Sequence, residues 1–287
     1  MHLNDRHHTF DTFMPLVENF VEQLPELTPD VWDITEPFKR PFSVAGVRET
    51  LVSFFDFHMR EYVRRDEILA KAKPKQTFDF TLPERKLASI LNFDWKRKTK
   101  PKAWGSFSAM TWGSFTCHAN ISMFVDTDRK LEASIIAYLK QATLKFNGHY
   151  GYFDSMTPEY EEVARANETR SVGISVYSHR LQKKLPDIFW CQVFGAPYVR
   201  LFGLEKLLSA PAFKVEQLGP EMVYIQLSES LFDMHERYAE VDAVRQRVKA
   251  HLDDNIFFQP KYTENHVYRT PNFQFPEVPT EPKESLL

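Results

Sequence analysis

Apolar residues recur at three- and four-residue steps in several stretches of the chain, and this spacing predicts amphipathic helices. The stretches begin near Phe13, Ser43, Thr127 and Asp233. In the Thr127 stretch, the apolar positions would all fall on one face of a single helix. They are Leu131, Ile135, Tyr138, Leu139, Ala142 and Phe146. We therefore expect helices that each bury one face against another layer of the fold.

Other stretches alternate aromatic, β-branched and small residues, a composition typical of strands. Residues 107–125 show it on both sides of Gly113, and residues 213–227 show it around the Gly219-Pro220 turn. Two β-hairpins are therefore predicted. Because antiparallel pairs need only short turns, hairpins interleaved with helices indicate an α+β fold, a mostly antiparallel sheet covered by helices. The similar length and order of the two halves would also fit two related α/β lobes.

Prolines mark the predicted boundaries of the domain, because proline interrupts helices and central strands. Five prolines in residues 1–42 predict an N-terminal arm with two short helices. Residues 43–258 would form the α+β domain, and its two lobes would be residues 43–147 and 148–258. Five more prolines predict a C-terminal tail at residues 259–287.

The composition indicates a folded protein with a large core, since 43% of the residues are hydrophobic and 25 are Phe. Each large apolar side chain contributes about 1.5–3 kcal/mol when it is fully buried. The net charge of -3 gives no overall field that would attract nucleic acid or an anionic membrane. We therefore expect no direct nucleic-acid partner and no membrane contact.

The cysteines and the N-terminus predict the compartment. Only Cys117 and Cys191 occur, so neither a disulfide framework nor a CxxC motif is present. Charged residues such as Asp5 and Arg6 interrupt the region where a signal peptide would carry its apolar core, and no later apolar run could span a bilayer. These features predict a cytoplasmic protein.

No sequence motif identifies a cofactor, a metal or a reaction. The 9 glycines form no phosphate-binding loop, and the 10 histidines show no HExxH or HxxxH spacing. Asp79 with Glu84 and Lys86 is the nearest match to a restriction-type nuclease site, but the triplet that starts at Glu84 begins a predicted helix by capping. A cysteine-dependent hydrolase would use Cys191, whose apolar neighbours favour a structural role. We expect no enzymatic activity, with this hydrolase kept as an alternative.

A basic run lies between Trp95 and Trp104. Basic residues beside aromatic ones can bind single-stranded nucleic acid through charge and stacking, so a nucleic-acid-binding adaptor is the second alternative. A solvated loop or a contact with an acidic protein would fit the same run. The basic residues are Lys96, Arg97, Lys98, Lys100 and Lys102.

Acidic residues cluster near two predicted helix starts, where they would interact favourably with the helix dipole and add solubility. A negative surface of this kind would also speed the capture of a basic partner protein. The residues predicted to contact such a partner are Glu159, Tyr160, Glu161, Glu162, Glu229, Asp233 and Glu236.

Aromatic residues and glycines have a distinctive spacing between residues 148 and 230. The residues concerned are Gly151-Tyr152-Phe153, Thr157-Pro158-Glu159-Tyr160, Phe194-Gly195-Ala196-Pro197-Tyr198, Gly203, Leu207, Leu208, Pro211, Glu216, Leu218 and Gly219. In these features the chain resembles immunity proteins of bacterial polymorphic-toxin and type VI secretion systems, in particular the family known as immunity protein fifty-two.

The resemblance implies a non-enzymatic inhibitor that binds a cognate type VI effector toxin before the toxin damages the cell that makes it. It also implies that the toxin is a nuclease with a restriction-endonuclease-like fold. Against a basic nuclease cleft, the required chemistry is steric occlusion together with carboxylates in the place of the substrate phosphates.

Overall fold

The computed structural model of the chain describes residues 2–3, 10–33, 40–52, 90–112, 116–126, 129–155, 157–158, 181, 184–258 and 266–272. The chain divides into two compact units between Asp126 and Thr127. The described part of the N-terminal unit lies within residues 10–126. That of the C-terminal unit combines residues 2–3 with residues 129–272.

The secondary structure alternates strands and helices. The strands are β1 (His2–Leu3), β2 (Val31–Asp33), β3 (Arg40–Pro41), β4 (Ile90–Arg97), β5 (Ala103–Trp112), β6 (Thr116–Val125), β7 (Gly148–Phe153), β8 (Cys191–Phe194), β9 (Lys214–Gly219) and β10 (Met222–Gln226). The helices are α1 (Phe10–Gln23), α2 (Arg129–Lys145), α3 (Ala196–Phe202), α4 (Leu204–Leu208), α5 (Asp233–Glu236) and α6 (Tyr238–Leu252). Residues 44–52 are also helical, and 3-10 turns span Pro25–Leu27 and Asp254–Ile256.

The N-terminal unit contains an antiparallel sheet in the strand order β3-β2-β4-β5-β6. Side chains alternate between its faces, and Phe93, Phe107 and Ile121 are cross-strand partners on the buried face. Helix α1 covers this face, since the Phe20 ring lies 5.0 Å from the Trp95 ring and 5.5 Å from the Phe107 ring. The hairpin predicted over residues 107–125 is confirmed by β5 and β6, and its turn at Gly113 lies outside the described residues.

The described part of the predicted N-terminal arm belongs to this core. Met14, Leu16, Val17 and Phe20 of α1 are each at most 1% exposed, so α1 is a layer of the unit and does not project from it. The first of the two predicted short helices is therefore present. The second is wrong, because residues 31–33 form β2, whose partner Lys96 lies 65 positions later in the chain.

The C-terminal unit contains a second antiparallel sheet in the order β7-β8-β10-β9, and β1 pairs with the free side of β7. The predicted second hairpin is confirmed by β9 and β10. Large aromatic side chains fill the core of the unit with no exposed surface. They include Tyr150, Phe189, Trp190, Phe194, Tyr198 and Tyr224.

The boundary between the units differs from the predicted division at residue 147. The predicted division places α2 in the first lobe, but the helix packs on β7, where Leu139 lies against Gly151. The apolar face predicted for α2 is present, with Leu131, Ile135 and Leu139 buried. That face covers the second sheet, so α2 belongs to the C-terminal unit.

Two predicted helices are interrupted. Gly203 separates α3 from α4 with a φ of +92°, a backbone conformation that favours glycine. Arg237 separates α5 from α6 with a φ of -141° and a ψ of 42°, which is not a helical conformation. Residues 266–272 of the predicted tail lie against the C-terminal unit, because Arg269 donates to the carbonyl oxygen of Leu201 at 2.6 Å.

The α+β fold class with mostly antiparallel sheet is therefore confirmed. Among the helices that the structure describes, none is both long enough and apolar enough to cross a bilayer.

Candidate functional site

The predicted acidic contact surface divides into residues with different surroundings. Glu159 to Glu162, with Tyr160 among them, lie outside the described residues. Glu229 is exposed. Glu236 is also exposed but forms an ion pair with Arg129 at 2.6 Å.

The prediction that Asp233 lies on the contact surface is corrected by its burial, since the residue is only 6% exposed. One of its carboxylate oxygens lies 2.9 Å from Nη2 of Arg237, and the backbone N–H of Ser230 also donates to the carboxylate. Burial alone would raise the pKa of Asp233, but these hydrogen bonds lower it below its usual value. Asp233 therefore stabilises the start of α5.

A neighbouring contact ties α2 to the loop before α5. Glu132 Oε2 accepts hydrogen bonds from the Ser230 hydroxyl at 2.9 Å and from the backbone N–H of Leu231 at 3.1 Å. The Arg129 guanidinium lies 4.2 Å from the centre of the Phe232 ring. Residues 230–232, which lie among the predicted acidic contacts, therefore already contact α2 of their own unit.

The basic run extends from the end of β4 through the turn to β5, and its lysines are exposed beside two aromatic rings. Trp104 is 52% exposed, and its ring stacks on Phe124 at 4.1 Å with an angle of 17° between the planes. Lys96 is the partner of Trp104 across β4 and β5, and Phe124 is its partner across β5 and β6. The three side chains therefore form a row across the outer face of the sheet.

A cavity of about 500 Å³ adjoins this row. It is lined by Lys96, Lys98, Lys102, Trp104, Phe124 and Asp126, among others. We refer to these six residues as the basic-aromatic site. Its walls come from three adjacent strands and one turn, so the position of each wall is set by the sheet.

Asp30 fixes the turn that carries the lysines. Its Oδ2 accepts from the backbone N–H of Lys98 at 2.6 Å and from that of Thr99 at 3.0 Å. The two bonds stabilise the carboxylate, and they lower the pKa of Asp30. Arg97 contributes from the other side by donating to the carbonyl oxygen of Thr28 at 2.9 Å. The turn is thereby anchored to the segment before β2.

The four lysines of the basic run have no ion-pair partner among the described residues, whereas Asp233 and Glu236 each have one. Lys96, Lys98, Lys100 and Lys102 are all exposed. Of the predicted acidic contacts, Asp233 and Glu236 are each paired with an arginine. The basic-aromatic site therefore carries an excess of positive charge, with three lysines and one carboxylate, although the whole chain has a net charge of -3.

The alternative of a cysteine hydrolase finds no support in the position of Cys191. The residue is fully buried in β8, and burial raises the pKa of its thiol. A nucleophilic cysteine needs an accessible thiolate with a lowered pKa. The surroundings of Cys191 have the opposite effect, and the side chain is part of the core.

A serine and a histidine that the sequence analysis did not single out lie close together. The Ser155 hydroxyl is 2.6 Å from Nε2 of His235, a distance at which a histidine could activate a serine. Within the described residues, however, no carboxylate is bonded to the other nitrogen of this ring. Since the two residues follow β7 and lie in α5, their hydrogen bond holds these two segments together.

Two nearly buried basic side chains lie inside the C-terminal unit. Arg245 is 2% exposed and donates to the carbonyl oxygen of Ile188 and to Asp242, each at 2.8 Å. Lys249 is 5% exposed and pairs with Asp187 at 2.9 Å. These charges anchor α6 to the segment before β8, and no feature of the sequence distinguished them from surface charges.

Asp154 belongs to the same group. Part of the residue reaches the surface, but its Oδ2 atom is buried without a hydrogen-bond partner in the described structure. Burial raises the pKa of this carboxyl to about 7, although Arg245 acts to lower it. The described residues include no cluster of three or more histidine, cysteine or acidic side chains placed to hold a metal ion.

No protein-family model matches the chain, and neither the curated proteins nor the solved structures contain a significant match to it. The basic-aromatic site and the acidic segment are therefore interpreted from their own chemistry.

Proposed function

We propose that the chain is a cytoplasmic immunity protein that binds a cognate type VI effector toxin, a nuclease, and neutralises it in the producing cell. The proposal starts from the resemblance of residues 148–230 to the immunity protein fifty-two family. The observation that supports it most is that several residues of this resemblance help to build one tightly packed unit.

Three of these residues have identifiable structural roles. A Cβ atom on Gly195 would lie 2.1 Å from the carbonyl oxygen of Gly148, so only glycine permits this close approach of two backbones. Gly203 has the positive φ that ends α3. Tyr198 is buried and donates from its hydroxyl to the carbonyl oxygen of Leu181 at 3.2 Å. Residues with such roles set a fixed scaffold, while the surface can adapt to a particular partner.

Neutralisation by binding requires a preformed surface and no reactive group. The burial of Cys191 and the structural role of the Ser155–His235 bond are consistent with this requirement. The proposed contact with a basic nuclease cleft uses carboxylates that project into solvent. Of the predicted contacts, Glu229 fits this description, and Glu159, Glu161 and Glu162 are retained from the sequence.

Co-expression tests the proposal in cells. The toxin is predicted to be the product of the neighbouring gene, and it would be expressed at a level that stops growth. Full-length chain produced in the same cells is expected to restore growth, because it occupies the surface on which the toxin binds its substrate. An inactive toxin variant is the control for expression burden. Growth arrest that persists when both proteins are present in equal amounts would contradict the proposal.

A charge-reversed chain is the matched variant for this assay. Replacing Glu159, Glu161 and Glu162 with lysine is expected to weaken rescue, because the acidic surface would no longer attract a basic cleft. The control is Glu205→Lys, which changes one exposed carboxylate in α4 outside the predicted contact. Equal rescue by the two variants would remove the acidic residues from the proposed contact while leaving the immunity function in place.

A further inference from the structure

The basic-aromatic site has the features of a surface that binds a flat, negatively charged ligand. Trp104 is a large aromatic residue with more than half of its surface exposed, and it lies on a sheet whose opposite face is packed. Its stacking on Phe124 uses one side of the indole ring. The exposed surface of the ring is available to a second planar group.

Positive charge surrounds this ring on the side of the turn. Lys96 is directly opposite Trp104 in the strand register, and Lys98 and Lys102 line the same cavity. Asp126 is the one carboxylate among the lining residues. A ligand that combines an aromatic ring with phosphate groups could therefore stack on Trp104 and pair with the lysines at the same time.

The next row of side chains on this face is polar and includes one carboxylate, Asp94, which is the partner of Ser106 across β4 and β5. Ser106 and Ser122 are cross-strand partners, and their hydroxyl oxygens are 3.0 Å apart. Each lies two positions along its strand from Trp104 or Phe124, on the same side of the sheet. Hydroxyl groups at this position can exchange hydrogen bonds with the edge of a base that is stacked on Trp104.

We infer that the basic-aromatic site binds a short segment of single-stranded nucleic acid. Sheet surfaces that present aromatic rings and lysines hold single strands by stacking bases and neutralising phosphates, with little dependence on sequence. An acidic protein segment would pair with the lysines but would leave the exposed indole ring without a matching group. The inference does not depend on the proposed immunity function, and either could fail without the other.

The test uses the full-length chain and a fluorescein-labelled twelve-nucleotide thymidylate, with fluorescence anisotropy recorded between 50 and 200 mM salt. Binding is expected to weaken steeply with salt. Neutralisation of three to four phosphates would give a slope of log K against log salt of about -2 to -3. Lys98→Gln should reduce the size of this slope by about 0.7, whereas Lys206→Gln, an exposed lysine in α4, should leave it unchanged.

Substitution of the aromatic platform separates stacking from charge. Trp104→Ala is expected to weaken binding by a factor between about 5 and 150, and Trp104→Phe should retain most of the affinity because the smaller ring still stacks. Phe213→Ala is the matched control, since Phe213 is 56% exposed in the C-terminal unit. It should bind like the unchanged chain.

Three results would overturn the inference. One is the absence of binding at 50 mM salt. Another is equal binding of poly-glutamate of matched charge with no effect of Trp104→Ala, which would indicate a surface for an acidic protein. The third is displacement of the oligonucleotide by adenosine monophosphate at equal nucleotide concentration, which would identify a free nucleotide as the ligand.

Discussion

Replacing Arg245 with leucine is expected to lower the free energy of unfolding of the C-terminal unit by about 3–5 kcal/mol at pH 7. The guanidinium is 2% exposed and bonds to the carbonyl oxygen of Ile188 and to Asp242. Leucine supplies none of these bonds. It also removes the positive charge that balances Asp154 in the interior, whereas Asp187 keeps its ion pair with Lys249.

Burial alone would lower the pKa of Arg245, but Asp154 and Asp187 raise it above its usual value, so the charge is held firmly in the folded state. Urea denaturation of the full-length variant would measure the loss. Arg247→Leu is the matched control, because Arg247 lies in the same helix with an exposed side chain. A difference below about 1 kcal/mol between the two variants would show that the buried arginine is not needed for stability.

Two buried groups in the C-terminal unit are expected to give opposite pH dependences of stability. His149 is 7% exposed, and burial together with the nearby Arg200 lowers its pKa to about 4 from 6.5. The unfolded chain therefore binds more protons between pH 4 and 6.5, and stability falls as the pH falls. Asp154 has its pKa raised to about 7 from 3.8, so the folded chain binds more protons and stability falls as the pH rises.

Single substitutions should separate the two effects. Asp154→Asn leaves the histidine contribution, which should lower the free energy of unfolding by roughly 3 kcal/mol between pH 6.5 and pH 4. His149→Gln leaves the carboxyl contribution, which favours low pH. Denaturation of both variants at half-unit pH steps measures the two slopes. Parallel pH profiles would contradict the assignment of these buried groups.

The helices and hairpins could be predicted from sequence wherever a local pattern determined them. The face of α2 formed by Leu131, Ile135 and Leu139 is visible as a three- and four-residue spacing, and the β9–β10 hairpin is visible from its Gly219-Pro220 turn. In these segments the interacting residues are neighbours in the chain, so periodicity and turn chemistry carry the information.

Features that depend on distant contacts could not be predicted in this way. Strand β2 has three residues, and it forms because β4 lies beside it after a long intervening segment. The sequence does not reveal that Phe124 is the partner of Trp104, because their contact depends on the register of the β5–β6 hairpin. Likewise, Asp233 and Arg245 resemble surface residues in the sequence, and only the packing around α5 and α6 shows that they are buried.

The acidic and basic segments illustrate the same point for function. The sequence contains both charge clusters, but it does not show which charges are already paired. In the described structure Asp233 and Glu236 have arginine partners, whereas the lysines of the β4–β5 turn have no ion-pair partner. Charge that is already paired contributes less to steering a partner than charge that is free.

We propose that this protein neutralises a toxin by remaining bound to it. Titration of the purified nuclease toxin of the neighbouring gene with the full-length chain, with residual nuclease activity as the readout, tests the claim most directly. We predict that activity falls in proportion to the chain added, reaches zero at a fixed molar ratio and does not change further with time. Unaltered activity, or progressive inactivation of many toxin molecules by each chain, would contradict the account.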